Sequence, residues 1–318
     1  MTRPLLLSGL VLLFALSLLL PLGTLAALWP EDRSLALAIL WELRLPRAGL
    51  ALAYGAMLGA SGAAIQALFA NPLASPDLTG TTSGAALGAV VTAYWFGFAS
   101  PLALSLGAVA GALAALLLLL ALAGRRSETA TLLLAGLAIS ALAGALTTLA
   151  LALSPSPFAF YDAYEWLMGS LVDRSLAQAA FAALPALLCI LLLLRLRPAL
   201  DALTLGEEVA QSFGHDVRRL RLWVVWLTAV GVGACVAICG AIGFVGLVAP
   251  IFARRMTAGH PGRAIVPAGL IGGALLLAAD LVSRSAPLGR TLPIGVVTAL
   301  LGAPFFLWLV VHMRWRLR

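Results

Sequence analysis

The sequence contains no lysine, although it carries 20 arginines against 13 acidic residues. A nucleotide-binding loop of the Walker A type needs a lysine to reach the phosphates. Any ATP hydrolysis linked to this chain is therefore expected on another chain. Charged residues make up only 10% of the sequence, where soluble domains average about 25%. This scarcity excludes a secreted domain, a cytosolic enzyme and a disordered protein.

Residues that commonly bind metals are also scarce. Cys235 and Cys239 lie four residues apart and would share one helix face, a spacing that is compatible with a pair of metal ligands. No third ligand lies near them, so we interpret them, like Cys189, as small packing residues. None of the three histidines falls in the middle of an apolar run. The sequence therefore predicts no metal site and no ladder of ligands for a bare metal ion.

Apolar residues are abundant, at 62% of the chain. A soluble protein of about 300 residues cannot bury so much apolar surface, and a helix of about 20 apolar residues crosses the hydrocarbon core of a membrane. We therefore predict an all-α polytopic membrane protein with about ten transmembrane helices. The first run resembles a signal peptide but exceeds the usual apolar length, so it is interpreted as a retained span. The runs are 5–28, 49–70, 80–98, 102–123, 130–153, 176–194, 222–240, 242–253, 265–283 and 293–312.

The arginines predict the orientation of these spans. Ten crossings place both termini on one side, and with the termini inside, 14 arginines lie inside and six outside. This bias follows the positive-inside rule, so both termini are predicted to be cytoplasmic. The outer set is Arg33, Arg44, Arg47, Arg174, Arg284 and Arg290.

Glycines recur at helical spacing in several of the spans. Gly55, Gly59 and Gly62 share one run, and Gly84 and Gly88 share the next. Small residues four apart let helix backbones approach closely in lipid. These positions therefore predict tight helix packing.

Two polar stretches interrupt the apolar pattern on the predicted inner side. Gln66, Asn71 and Pro72 break the first of them, because proline disrupts a helix and asparagine can satisfy the freed backbone groups. The second, residues 201–217, has the sequence DALTLGEEVAQSFGHDV and predicts a short amphipathic helix bounded by Gly206 and Gly214. Such a helix on the cytoplasmic face is either a docking element or an interfacial loop.

Motifs along most of the chain resemble those of the FecCD-type permeases, the membrane subunits of importers for ferric siderophores, haem and vitamin B12. One position departs from the pattern: Ile251 stands where the family commonly has a histidine, so no role for that histidine is carried over. The shared motifs are RLPR at 44–47, GA at 55–56, Q-x4-NPLA-x-P at 66–76, W-x-M-G-S at 166–170, LGEE-x-A at 205–210, G-x-IGF-x-GLV-x-P at 240–250, AD-x3-R at 279–284 and LP-x-GV-x-TA-x-x-GAPFF at 292–306.

The resemblance implies a single transmembrane permease domain over residues 1–318 with the fold of a vitamin B12 permease, that is, a type II ABC importer. It also implies a second permease subunit, identical or different, two ATPase subunits that bind ATP and Mg²⁺, and a periplasmic or lipid-anchored substrate-binding protein. The chain itself would be a transport subunit of a bacterial inner membrane. It would not be an enzyme, and it would carry no cofactor and bind no nucleic acid.

The resemblance further assigns roles to particular residues of this sequence. Arg44, Arg47 and Arg284 match positions that meet glutamates of the binding protein, although an arginine at the membrane interface can also simply extend to the headgroups. Residues 201–217 match the coupling helices that contact the ATPase, with Leu205, Gly206, Glu207, Glu208, Ala210, Phe213 and Gly214 as the matched residues. Thr129 and Ala130 match the cytoplasmic gate. The residues of the pathway and its structural motifs are Gln66, Asn71, Pro72, Gly240 and Pro250.

Two other functions are compatible with parts of the sequence. An ion-driven secondary transporter or channel would need acids or histidines at the middle of the membrane, and the spans hold only Asp280, near an outer end. Asp280 is four residues from Arg284, which favours a local ion pair. Residues 59–62 match the GxSG pattern of intramembrane serine proteases, but no histidine lies within a span to activate Ser61.

Overall fold

The computed structural model describes residues 2–123, 129–154, 158–285 and 292–316, and the chain is helical, without β-strands, throughout these ranges. A π-helical segment, Ile39–Arg44, joins α3 to α4, and a short 3-10 helix, Leu203–Leu205, follows α10. The predicted all-α class is confirmed. The α-helices are α1 (Thr2–Leu19), α2 (Leu22–Glu31), α3 (Arg33–Ala38), α4 (Leu45–Leu68), α5 (Thr81–Tyr94), α6 (Pro101–Ala123), α7 (Thr129–Ala152), α8 (Ala159–Leu167), α9 (Leu176–Arg195), α10 (Arg197–Ala202), α11 (Glu207–Ser212), α12 (Val217–Cys239), α13 (Val245–Met256), α14 (Pro261–Arg284) and α15 (Ile294–Arg316).

Six helical stretches in the described ranges are long and apolar enough to cross a membrane. Apolar parts of α1 and α15 are shorter, and α5 and α13 have only 14 and 12 residues. At about 1.5 Å per residue, α5 and α13 fall well short of a hydrocarbon core about 30 Å thick. Each predicted run thus contains a helix, but not every helix has the length of a full span. The six are Arg33–Leu68, Pro101–Leu122, Leu134–Ala152, Leu176–Arg195, Val217–Cys239 and Pro261–Arg284.

One of the predicted spans is divided, and another begins within a longer helix. The run 5–28 is not one helix, because α1 ends at Leu19 and α2 begins only after Pro21, which has no N–H to continue the helical hydrogen bonds. The run 222–240 belongs to a helix that begins earlier, at Val217. The Asp216 carboxylate accepts a hydrogen bond from the Arg219 N–H at 3.0 Å and so caps α12.

The centre of the bundle is formed by α4, which packs against α14, α9, α13 and α12. Every residue of α4 from Met57 to Leu68 is buried. Most of α12 is also buried, between α4, α6 and α9, whereas only 28% of the most apolar stretch of α6, α7 and α9 is buried. The apolar outer faces of these three helices are suited to lipid or to another membrane subunit.

Backbone contacts between helices confirm the tight packing predicted from the glycines. A Cβ atom on Gly55 would overlap the carbonyl oxygen of Gly272 in α14, and one on Gly272 would overlap that of Gly55. One turn further on, Gly59 packs in the same way on Ala268. Gly88 of α5 lies equally close to the backbone of α6. With no side chain between them, these helices are held at the closest separation that two backbones permit.

The short helices α5 and α13 are each preceded by a break in the bundle interior. Residues 69–80 separate α4 from α5, and residues 240–244 separate α12 from α13. The two breaks contact each other, since the Asp77 carboxylate accepts a hydrogen bond from the Phe244 N–H at 3.1 Å. Phe244 has a positive φ of 67°, which is uncommon for a bulky residue. The Asp77 hydrogen bond thus helps to hold an unfavourable backbone conformation at the start of α13.

Candidate functional site

Two arginines meet one buried aspartate where the start of α4 lies beside the end of α14. Arg47 Nε donates to Asp280 Oδ1 at 2.8 Å, and Arg284 Nη2 donates to Asp280 Oδ2. The Asp280 side chain is only 1% exposed. The predicted pair of Asp280 with Arg284 is present, and the structure adds Arg47, which no local sequence spacing could reveal.

A third arginine, Arg44, binds the end of α1 beside this cluster. Its guanidinium donates to the carbonyl oxygens of Leu18 and Leu19 at 2.9 and 2.7 Å and to that of Pro21 at 3.1 Å. The last carbonyls of a helix have no partner within the helix, and the positive charge also suits the negative end of the helix dipole. Arg44 therefore acts as a cap that joins α1 to the start of α4.

The structure thus brings together the three arginines predicted to dock a binding protein. We call the surface around Arg44, Arg47, Asp280 and Arg284 the arginine end. Each guanidinium already has intramolecular partners, and Arg44 is only 8% exposed. These contacts stabilise the helix ends, and docking by the three arginines stays a prediction.

A cleft of about 490 Å³ opens at the arginine end. Such a volume lies within the range of small-molecule sites, about 300–1,000 Å³. Its walls combine charged groups with aromatic and aliphatic side chains. They include Arg47, Asp280, Arg174, Tyr164, Trp166 and Ile294.

Three sequence motifs meet at the base of this cleft. The Ser170 N–H donates to the Cys239 carbonyl oxygen at 2.8 Å, and the Ile294 N–H donates to that of Gly169 at 3.0 Å. Gly169 has a φ of 83°, and a Cβ on Gly240 would overlap the Trp166 carbonyl oxygen. The W-x-M-G-S, G-x-IGF and LP-x-GV segments therefore form one rigid floor, and Gly240, predicted as a structural position, is required there by this close approach.

The other predicted pathway residues lie between α4 and α13. Gln66 is fully buried and its Nε2 donates to the Leu247 carbonyl oxygen at 3.4 Å. Pro250 packs against Gly62 one turn away. Asn71, 1% exposed, accepts a hydrogen bond from the Leu73 N–H at 2.9 Å and so shapes the turn that contains Pro72. Gln66 and Pro250 thus both lie in the contact between α4 and α13, whereas Gly240 lies against the Trp166 backbone.

The predicted amphipathic helix in residues 201–217 is present as α11. Gly206 and Gly214 bound it with φ angles of 102° and 86°, a conformation that favours glycine. Ala210 is buried, and Glu207 forms an ion pair with Arg221 of α12. Glu208, Leu205, Val209 and Phe213 are exposed, which leaves three large apolar side chains of this segment uncovered.

The coupling segment, as we call residues 201–217, is attached to the start of α14. The Gly262 N–H donates to Asp201 Oδ1 at 2.8 Å. A Cβ on Gly262 would also overlap the Arg197 carbonyl oxygen. The segment is therefore held against the end of α14 that lies opposite the arginine end.

The predicted gate falls at the edge of the described ranges. Thr129 and Ala130 begin α7, and residues 124–128, which include most of the loop before them, lie outside the described residues. A gating role for Thr129 and Ala130 stays a prediction.

No cluster of three or more metal-ligating side chains occurs in the parts of the chain that the structure describes. Cys189, Cys235 and Cys239 are all buried and unbonded to one another. Cys235 Sγ lies 3.9 Å from the Ala182 carbonyl oxygen, in the contact between α12 and α9. The arrangement fits small packing residues.

Two residues of the site were not singled out for a function by sequence reasoning. No sequence motif assigned Asp77 a function, and its contact with Phe244 joins segments 167 residues apart. Arg174 was assigned only to the outer set, yet its side chain lines the cleft. Arg174 could have been noticed in the sequence because it directly precedes Ser175, which together with Gln178 caps α9.

Comparisons with known proteins agree over most of the chain. A sequence profile described as the FecCD transport family matches residues 4–312. The vitamin B12 import system permease protein BtuC of Vibrio cholerae is 41% identical over 88% of this chain and 84% of its own length. The Fe(3+)-citrate import system permease protein YfmE of Bacillus subtilis is 37% identical over 86% of this chain and 81% of its own length. A solved structure described as an inward-facing metal-chelate type ABC transporter superposes with a TM-score of 0.79 at 32% identity, covering 98% of this chain and all of that one.

Proposed function

The chain belongs to the FecCD transport family, and we propose that it is the membrane-spanning permease subunit of an ATP-driven importer that depends on a binding protein. Its cargo would be a chelated iron compound, such as a ferric siderophore or haem, or vitamin B12. The observation that carries this proposal is a likeness to import permeases that extends over nearly the whole chain in both sequence and fold. The membrane would be the inner membrane of a bacterium.

We further propose ten membrane crossings with both termini in the cytoplasm. The short helices α5 and α13 would complete their crossings through the breaks 69–80 and 240–244. Irregular backbone is tolerated at membrane depth where protein surrounds it, and the Asp77 hydrogen bond and the buried Asn71 are support of that kind. The surplus of arginine on the proposed inner side agrees with this orientation.

The energy would come from separate ATPase subunits that bind ATP and Mg²⁺. The absence of lysine from this chain supports that division of labour. Two such subunits would act on a pair of permease subunits, and no cofactor would reside on this chain. The gate formed by Thr129 and Ala130 would close the pathway on the cytoplasmic side.

The ATPase would contact the coupling segment. Leu205 and Phe213 are 61% and 67% exposed, beside the short helix α11, which is held rigidly by two glycine turns and by the Glu207 ion pair. Exposed apolar side chains on a rigid polar segment are well suited to insert into a groove of a partner. A movement of the ATPase would then reach the transmembrane helices through this segment.

The variant Phe213→Ser tests this assignment. We expect it to weaken the association with the ATPase and the ATP-driven transport at least about tenfold, since a buried aromatic anchor contributes about 2 kcal/mol or more to an interface. The matched control is Gln211→Ser, which shortens an exposed polar side chain of the same segment. Equal ATPase association of both variants would contradict the assignment. Transport in proteoliposomes that contain no ATPase would instead support an ion-driven transporter.

The binding protein would dock at the arginine end. Arg44, Arg47 and Arg284 gather three positive charges there around a single aspartate, and charge pairs across an interface steer docking and set its register. If acidic side chains of the binding protein recognise the arginines, neutralising Asp280 would leave the binding protein's association intact, because the arginines supply the attraction.

A further inference from the structure

Arg174 is half-buried and forms no ion pair with the residues that the structure describes. Its Nε atom is buried and donates to no acceptor among the residues that the structure describes. Arg47 and Arg284, in contrast, both pair with Asp280. Burying an N–H donor without an acceptor is unfavourable, and buried polar groups are almost always hydrogen-bonded. Because Arg174 also lines an open cleft, its guanidinium is available to an acceptor that binds from outside the chain.

The backbone on both sides of Arg174 is fixed. Asp173, just before it, has a φ of 53°, and Ser175, just after it, forms a capping box with Gln178 at the start of α9. Four residues upstream, the Ser170 N–H is bonded to the end of α12. The backbone of Arg174 therefore does not need to be ordered when a ligand binds, which lowers the entropic cost of binding.

The cleft around Arg174 combines two arginines and two aspartates with an apolar wall. Among the described groups, Arg47 and Arg174 line it with Asp280 and the exposed Asp173, and the charge of Asp280 is already shared with Arg284. Trp166 and Ile294 add an aromatic and an aliphatic surface. A second cavity, of about 290 Å³, is also lined by Arg174 and Trp166. Arg174 thus stands between two spaces that small molecules could fill.

We infer that this cleft is a binding site for a cargo that carries a free carboxylate, and that the Arg174 guanidinium pairs with that carboxylate. The planar guanidinium matches the two oxygens of a carboxylate, and such charge-assisted bonds are the strongest ordinary hydrogen bonds in proteins. The inference rests on the proposed function for the identity of the ligand as cargo. It favours a carboxylate-bearing iron chelate over vitamin B12, whose peripheral side chains are amides.

The test uses the full chain in lipid nanodiscs and ferric citrate labelled with radioactive iron. We expect saturable binding that Arg174→Gln weakens at least about tenfold, as loss of a hydrogen bond to a charged group predicts, and that Arg174→Lys weakens less. Arg33→Gln is the matched control, because it removes an arginine charge from an exposed position at the start of α3. Cyanocobalamin added in excess is expected not to displace the labelled iron.

Several outcomes would overturn the inference. Absence of saturable binding to the unmodified chain, equal affinities of Arg174→Gln and Arg33→Gln, or displacement by cyanocobalamin would each do so. A carboxylate could also come from an acidic side chain of the binding protein. In that case Arg174→Gln would weaken binding-protein association and leave ferric citrate binding unchanged, which contradicts a cargo site. Failure of the proposed function would be seen separately. The unmodified complex would then show no ATP-driven uptake, although ferric citrate would still bind in a way that depends on Arg174.

Discussion

Neutralising Asp280 is the most direct perturbation of the arginine end. Asp280→Asn keeps the size of a side chain that is 1% exposed but removes the charge shared by Arg47 and Arg284. Removing one partner of a buried ion pair costs about 3–5 kcal/mol. The asparagine oxygen can still accept one hydrogen bond, worth about 1 kcal/mol. We therefore expect a net loss of about 2–4 kcal/mol in the free energy of unfolding.

Arg47→Gln provides the matched comparison, because it leaves Asp280 paired with Arg284. Loss of a hydrogen bond to a charged group costs about 1.5–3 kcal/mol. A hydrogen bond from the new glutamine amide to Asp280 would reduce this loss. Asp280→Asn should thus be the more destabilising variant, and the double variant should lose less than the sum, with a coupling of about 0.5–3 kcal/mol. Equilibrium unfolding in mixed detergent micelles, followed by circular dichroism, measures all three.

The reasoning would be refuted by an Asp280→Asn variant as stable as the unmodified chain, or by one no less stable than Arg47→Gln. Binding-protein association gives a second, independent measurement on the same variants. Intact association in Asp280→Asn together with weakened association in Arg47→Gln would support docking through the arginines. Equal association in both would restrict Arg47 to a stabilising role.

Two further substitutions test the packing and the breaks in the interior. Gly62→Ala should destabilise the chain by about 1–3 kcal/mol, because its Cβ would overlap the Gly246 carbonyl oxygen. Gly49→Ala, in the same helix but with open space around it, should be neutral or stabilise by up to about 1 kcal/mol; equal effects in detergent unfolding would contradict the packing. Asp77→Asn weakens the acceptor for the Phe244 N–H, so amide hydrogen exchange at the start of α13 should accelerate, and unchanged exchange there would show that the carboxylate does not hold this turn.

The sequence allowed the ten apolar runs to be located, because long apolar stretches and glycine spacing are local signals. It failed where the determining contact is distant in the chain. Arg44 binds carbonyls at the end of α1 that lie 23 to 26 positions earlier in the chain. Asp280 pairs with Arg284 at a spacing that a helix predicts, but its pair with Arg47 spans 233 residues.

The same limit applies to the candidate site. The Gly206 and Gly214 bounds of α11 were predictable, since each glycine marks a local turn. The cleft was not predictable, because its floor is made by three segments that pair only after folding, through Ser170, Gly169 and their backbone partners. The position of Arg174 at the cleft and the lack of an acceptor for its Nε also arise only when these segments assemble.

One end of α14 lies at the coupling segment and the other lies at the arginine end. Its first turn is bonded to Asp201 of the coupling segment, and its last turns hold Arg47 through Asp280. Between these ends it has 24 residues, a length of about 36 Å, and it meets α4 backbone to backbone at Gly55 and Gly59 without compressible side chains. We therefore expect the two helices to move as one rigid element, so that a displacement of the α14 end that is bonded to the coupling segment would be transmitted to the arginine end.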